Sequence, residues 1–103
     1  MPSTKALTAS EVYEVLRDAT VASRSMQRIT EESWNDIYCG LMTIDVDDWR
    51  ITFFIDCGDL DYCDSCVSAD GRRYDFSSKD DFDPVGLLSP NEHLQLEDRL
   101  HHV

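Results

Sequence analysis

Residues 57–66 read CGDLDYCDSC, with three cysteines and three aspartates in ten positions, and Cys39 stands eighteen residues before Cys57. Thiols and carboxylates at that density could bind a metal, carry redox chemistry or form a disulfide. A tetrahedral zinc site is a strong reading when two C-x2-C knuckles occur together. Here the four cysteines are separated by 17, 5 and 2 residues, so only Cys63 and Cys66 form a knuckle. A zinc-stabilised module would use Cys57, Cys63 and Cys66, with Cys39 or an aspartate as the fourth ligand, and it needs residues 59–66 to fold as a tight turn. If that segment runs extended, alternation sends Cys63 and Cys66 to opposite faces. Redox activity is disfavoured because Asp59, Asp61 and Asp64 raise the cost of a thiolate. Reduced thiols that pack in or near a core are the leading reading, and zinc is the alternative.

Other chemistries lack their residues. The aspartates from Asp56 to Asp64 do not follow a calcium loop, and Cys63-x-x-Cys66 has no H-x-E partner of a zinc deaminase. His93, His101 and His102 all fall in or after the last helical pattern, and there is neither a glycine-rich phosphate loop nor a G-x-S-x-G elbow. No catalytic residue, bound metal or cofactor is therefore expected, and the chain is not expected to be an enzyme.

The whole-chain charge points elsewhere. Twenty-one acids against nine bases give a net charge of −12, which disfavours direct binding to nucleic acid or to an anionic membrane and favours a basic protein partner. The acids are also sorted by type. All thirteen from Asp36 to Asp83 are aspartates, whereas glutamate dominates outside that span. Glutamate suits helices and aspartate suits turns and caps, so helices at both ends should flank strands. With no signal-like start and no apolar run near eighteen residues, the sequence reads as a single cytoplasmic domain over residues 1–103.

These elements must position the acidic stretch. Thr8 and Glu11 form a capping box and Leu7 can staple onto Val12, so a helix is expected over about 9–22, with Val12, Val15, Leu16, Ala19 and Ala22 on its apolar face. The polar stretch 23–33 reads as a connector. From about 37 the period becomes two. Strands over 37–46 and 49–57, joined at Asp47-Asp48, pair Val46 with Trp49, Ile44 with Ile51, Met42 with Phe53, Gly40 with Ile55 and Tyr38 with Cys57. A second hairpin, 62–68 with 72–77, turns at Asp70-Gly71 and pairs Val67 with Tyr74 and Ser65 with Phe76. Ser89, Pro90 and Glu92 open a last helix over about 90–101, with Leu96, Leu100 and Val103 as its stripe. The fold class is α+β: helix, four-stranded antiparallel sheet of two hairpins, helix.

Those registers leave Ile37, Leu41, Phe54 and Tyr62 on the second sheet face among Asp45, Asp56, Asp64 and Asp75. Such a face is either covered by a helix or left open as an interaction patch. The candidate partner-binding residues are Asp45, Asp56, Asp59, Asp61, Asp64, Phe54 and Tyr62. Carboxylates held close to a strand backbone can imitate phosphates, so the expected partner is a basic protein such as a nuclease, a DNA-binding protein or a defence complex. The expected role is that of an inhibitor or immunity factor. The segments DIYCGLMTIDVDDWRITFFIDC, LDYCDSC and DGRRYDF resemble an uncharacterised family of small acidic bacterial proteins. The resemblance implies a bacterial, cytoplasmic, stand-alone domain, and it supplies neither a function nor a functional residue.

Overall fold

Thr8 and Glu11 do cap the first helix. The Thr8 N–H donates to the Glu11 carboxylate (3.1 Å) and the Glu11 N–H to the Thr8 hydroxyl (3.2 Å), an arrangement worth about 1 kcal/mol. In the computed structural model, which describes residues 7–20, 26–75 and 83–103, helix α1 spans Ala9–Thr20. Val12, Val15, Leu16 and Ala19 are buried along one stripe, and Leu7 is buried ahead of them. The expected helical residues 21–22, the strand end at 76–77 and the loop to 82 lie outside the described residues.

Among the described residues the sheet has five antiparallel strands, β1 (Met26–Arg28), β2 (Cys39–Val46), β3 (Trp49–Asp56), β4 (Asp59–Val67) and β5 (Arg73–Asp75), in the order β1-β2-β3-β4-β5. That is one strand more than the four expected. The addition, β1, lies in the stretch read as a connector and sets Met26 opposite Val46 and Arg28 opposite Ile44. Three residues are too few to display a period of two.

The β2–β3 register is the expected one from Val46↔Trp49 to Gly40↔Ile55. Asp47 and Asp48 turn it with φ of 49° and 72°, the left-handed pair of a type I′ turn, and the Asp45 carboxylate accepts the Asp48 N–H (3.0 Å). Two ends of the expected pairing change. A 3-10 turn over Trp34–Asp36 shifts the phase ahead of β2, so Ile37 is buried and Tyr38 is 70% exposed, the reverse of the alternation reading. Cys57 is likewise exposed, because it belongs to a turn and not to the strand.

Cys57 and Gly58, at φ of 53° and 81°, form a second two-residue turn, with Asp56 opposite Asp59. The β3–β4 pair is therefore itself a hairpin, and β4 starts at Asp59 where 62 was expected. Two register shifts interrupt it. Ile55 faces Leu60 and Phe54 faces Tyr62, which leaves Asp61 extra; Phe53 faces Cys63 and Thr52 faces Ser65, which leaves Asp64 extra. These bulges turn the inward period from two into three, so Leu60, Cys63 and Cys66 are all buried. The expectation that an extended segment separates Cys63 from Cys66 fails for that reason.

The β4–β5 register also moves by one residue, with Val67↔Arg73, Cys66↔Tyr74 and Ser65↔Asp75. The Ser68 N–H donates to the Arg72 carbonyl (2.8 Å), the Arg72 N–H donates to the Ser68 hydroxyl (3.0 Å) and Gly71 has φ of 89°, so the loop holds three residues with glycine in the left-handed position, not two. Helix α2 (Pro90–His102) is capped by Ser89 and Glu92 as expected and buries Leu96 and Leu100.

Both helices supply the same core as the inward strand residues Met42, Ile44, Val46, Ile51, Phe53 and Ile55. Among the described residues strand β5 pairs with residues 65–67, and side chains satisfy backbone groups farther along that β4 edge. Leu60 N–H donates to Glu97 (3.0 Å), His93 Nε2 lies 3.2 Å from the Leu60 carbonyl, and Cys63 N–H donates to Asp83 (3.0 Å). Among the described residues, no helix is long and apolar enough to cross a membrane.

Candidate functional site

With both helices on one side, the other side of the sheet carries no helix among the described residues. The ladder fixes what this outer face presents. Leu41, Phe54 and Tyr62 form one row across three strands, and Thr43, Thr52 and Ser65 form the next. The Phe54 and Tyr62 rings stack with centroids 5.2 Å apart and planes at 16°, and they lie opposite each other in the ladder just past the bulge at Asp61. Leu41 is 50% exposed beside them. The two threonine hydroxyls meet at 2.9 Å, which ties the middle of the face to itself.

The aspartates group at one end of this face. Asp56 and Asp59 flank the Cys57–Gly58 turn, and Asp61 and Asp64 are the bulge residues on either side of Tyr62 and Cys63. The structure thus brings together six of the seven sequence-predicted residues: Phe54, Tyr62, Asp56, Asp59, Asp61 and Asp64. Asp45 stands apart, opposite Arg50, four positions along β3 from Phe54 and so roughly 13 Å away. Its carboxylate is engaged with the β2–β3 turn. Asp75, also expected on this face, pairs with Arg73 at 2.8 Å.

The bulges bear on what the carboxylates are for. Without Asp61 and Asp64 the β3–β4 ladder would close with unbroken alternation, so neither is needed to bury Leu60, Cys63 or Cys66. Bulges concentrate where a strand must re-aim a side chain, and here each one adds a carboxylate beside the aromatic pair.

Asp83 is a different kind of carboxyl. Burial lifts its pKa above the ordinary carboxylate value, while the N–H groups of Cys63 (3.0 Å), Val85 (3.1 Å) and Gly86 pull the other way. Three backbone donors on one side chain describe a clamp between β4 and the turn before α2 rather than a free acid or base.

The four cysteines divide into two pairs. Cys63 and Cys66 are buried, and burial pushes Cys66 up to about 12 and Cys63 well above its usual value. Cys39 and Cys57 are exposed. The set Cys57, Cys63 and Cys66 does not converge among the described residues. The cluster that does form is Cys39, Asp56 and Cys57, whose ligand atoms all lie within 4.8 Å of one another. The Tyr38 hydroxyl hydrogen-bonds to Cys57 and draws its pKa down, but hydrogen bonding and charge from Asp56, together with Cys39, outweigh this and leave the thiol above its usual value. The signal for this cluster was present in the sequence, because the β2–β3 register sets Cys39 against Asp56. Extending β3 one residue too far hid Cys57.

Brief treatment of the native, reduced protein with N-ethylmaleimide should add two alkyl groups, at Cys39 and Cys57, and treatment after unfolding should add four. Intact-mass and peptide mass spectrometry would read both numbers.

No curated protein and no solved structure matches this chain. One family profile does, over residues 6–102, and so over almost all of the sequence. The chain belongs to the family described as a domain of unknown function, DUF7693.

Proposed function

We propose that the protein is a small acidic, non-enzymatic binding protein that occupies a basic surface on a partner protein, in the manner of an inhibitor or immunity factor that imitates nucleic acid. The observation that carries this reading is the stacked Phe54–Tyr62 pair on a sheet face that no helix covers among the described residues, beside Leu41 and bordered along β3 and β4 by Asp56, Asp59, Asp61 and Asp64. An apolar centre with a charged rim is the usual anatomy of a protein interface. Aromatic anchors at the centre carry most of the affinity, while rim charges set encounter rate and partner choice. A net charge of −12 adds a long-range field that attracts cationic surfaces and repels nucleic acid. Suitable partners are nucleases, DNA-binding regulators and defence complexes, whose phosphate-binding surfaces are basic.

Immobilised protein should capture a basic partner from lysate of its source at low salt and release it near 0.5 M salt, where screening shortens to a few ångströms. The purified partner should then bind Phe54→Ala/Tyr62→Ala at least ~30-fold more weakly, the loss expected of a hot-spot aromatic pair. Asp61→Asn/Asp64→Asn should slow association and flatten the salt dependence. The partner's binding to DNA should fall in proportion to occupancy by the wild-type protein. A captured partner indifferent to both salt and the aromatic pair would show that this face is not the binding surface.

A further inference from the structure

The exposed cluster at the β3–β4 turn shares Asp56 with that interface and has the composition of a metal site. Cys39 leads β2, Asp56 ends β3 opposite it, and Cys57 follows as the first residue of the turn. The turn is fixed by the Gly58 N–H donating to the Tyr38 carbonyl (3.0 Å), so all three side chains project from hydrogen-bonded backbone and need little ordering to converge. The Cys39 Sγ to Asp56 Oδ1 separation is 3.5 Å. A tetrahedral zinc with Zn–S near 2.3 Å and Zn–O near 2.0 Å sets adjacent S and O ligands about 3.5 Å apart and two sulfurs about 3.8 Å apart. The first distance is already met, and the third atom lies within the 4.8 Å limit of both others.

We propose that Cys39, Asp56 and Cys57 form a three-ligand site for a thiophilic divalent cation of the zinc class, with water in the fourth position. Two sulfurs and one carboxylate oxygen favour zinc over magnesium or calcium, which take oxygen shells. Binding replaces the two thiol protons: Zn²⁺ and two S–H groups give two Zn–S bonds and two H⁺, while Asp56 supplies a carboxylate oxygen. Affinity therefore rises with pH. The Tyr38 hydroxyl, hydrogen-bonded to Cys57, would orient that sulfur without touching the metal. The backbone adds a separate observation. Cys57 sits at φ of 53°, a position that favours glycine, asparagine or aspartate, so a cysteine there is not the choice that turn stability alone would make.

The test uses full-length protein kept reduced with a phosphine, titrated with cobalt(II) and then zinc. One cobalt per chain should bind with an intense tetrahedral visible spectrum and a thiolate-to-cobalt charge-transfer band, and zinc should displace it. Cys39→Ser and Cys57→Asn should each lower zinc affinity at least ~100-fold, since loss of a group that merely hydrogen-bonds to a ligand already costs about 10–100-fold. Tyr38→Phe should lower it about tenfold. Cys57→Asn should meanwhile keep or raise the melting temperature, which separates loss of the site from loss of the fold. Cys66→Val should keep the cobalt spectrum. An octahedral spectrum without a charge-transfer band, or one that survives Cys39→Ser and Cys57→Asn, would overturn the proposal.

Discussion

Between pH 8 and about pH 10.5 the protein should lose several kcal/mol of stability, most of it traceable to two buried thiols. Burial holds Cys66 near 12 against an ordinary value of 9.0, and it raises Cys63 well above 9.0, helped by the neighbouring Cys66, Asp83 and Asp64. Below pH 9 both thiols are protonated whether the chain is folded or not, so they contribute no pH dependence. Above it the unfolded chain releases its thiol protons while the folded chain keeps them. The unfolded state therefore gains about 1.4 kcal/mol per pH unit per thiol until the folded value is reached. At about pH 10.5 Cys66 alone removes about 2 kcal/mol, and Cys63 acts in the same direction. Against a total of 5–15 kcal/mol that is typical for a domain, this is a large fraction. Urea midpoints at pH 7, 9 and 10.5 would measure it. Cys63→Val/Cys66→Val should stay within about 2–3 kcal/mol of wild type at pH 7, as near-isosteric core changes do, and should lose far less on going alkaline. An equal alkaline loss in the double variant would assign it to the tyrosines and lysines instead.

Those thiols also mark where sequence reading reaches its limit. Both helices were legible because their signals are local: Thr8 with Glu11, and Ser89 with Pro90 and Glu92, act within one turn of chain. The β2–β3 register was legible because only one pairing buries Met42, Ile44, Ile51 and Phe53 together. The five-strand count was not, since β1 has three residues and relies on the edge of β2 for its existence. Asp70-Gly71 serves equally in a two-residue turn and in a three-residue turn with Gly71 left-handed, so the β4–β5 register slipped by one. Bulges are harder still. A ladder that inserts Asp61 and Asp64 looks, in sequence, like a failure of alternation, and only the partner strand reveals which residues are extra. The outward placement of Phe54 was legible because its pairing with Leu41 does not involve the bulges. The metal-type cluster was not, because it depends on Cys57 being in the turn.

Deleting Thr52 should abolish cooperative folding, whereas deleting Asp64 should leave a folded protein. Strand β3 is central, paired to β2 on one side and β4 on the other, and its inward residues Ile51, Phe53 and Ile55 are fully buried. Removing Thr52 makes Ile51 and Phe53 neighbours, so one side of the strand must turn its apolar groups to solvent. Each large group so exposed costs about 1.5–3 kcal/mol, and two or three of them approach the stability of a whole domain. Removing Asp64 has the opposite geometry. Cys63 stays opposite Phe53, Ser65 follows opposite Thr52, Cys66 opposite Ile51, and alternation runs unbroken. The change in stability should then stay within about 1–2 kcal/mol, the range of ordinary substitutions. Thermal unfolding followed by near-ultraviolet circular dichroism would separate the two outcomes, since Trp34 and Tyr74 are buried and report on packing. If the chain without Asp64 folds but binds a basic partner more weakly, the bulge serves the outer face. If it fails to fold, the extra residue is required by the sheet itself, and the grouping of aspartates around Phe54 and Tyr62 follows from strand geometry and not from recognition.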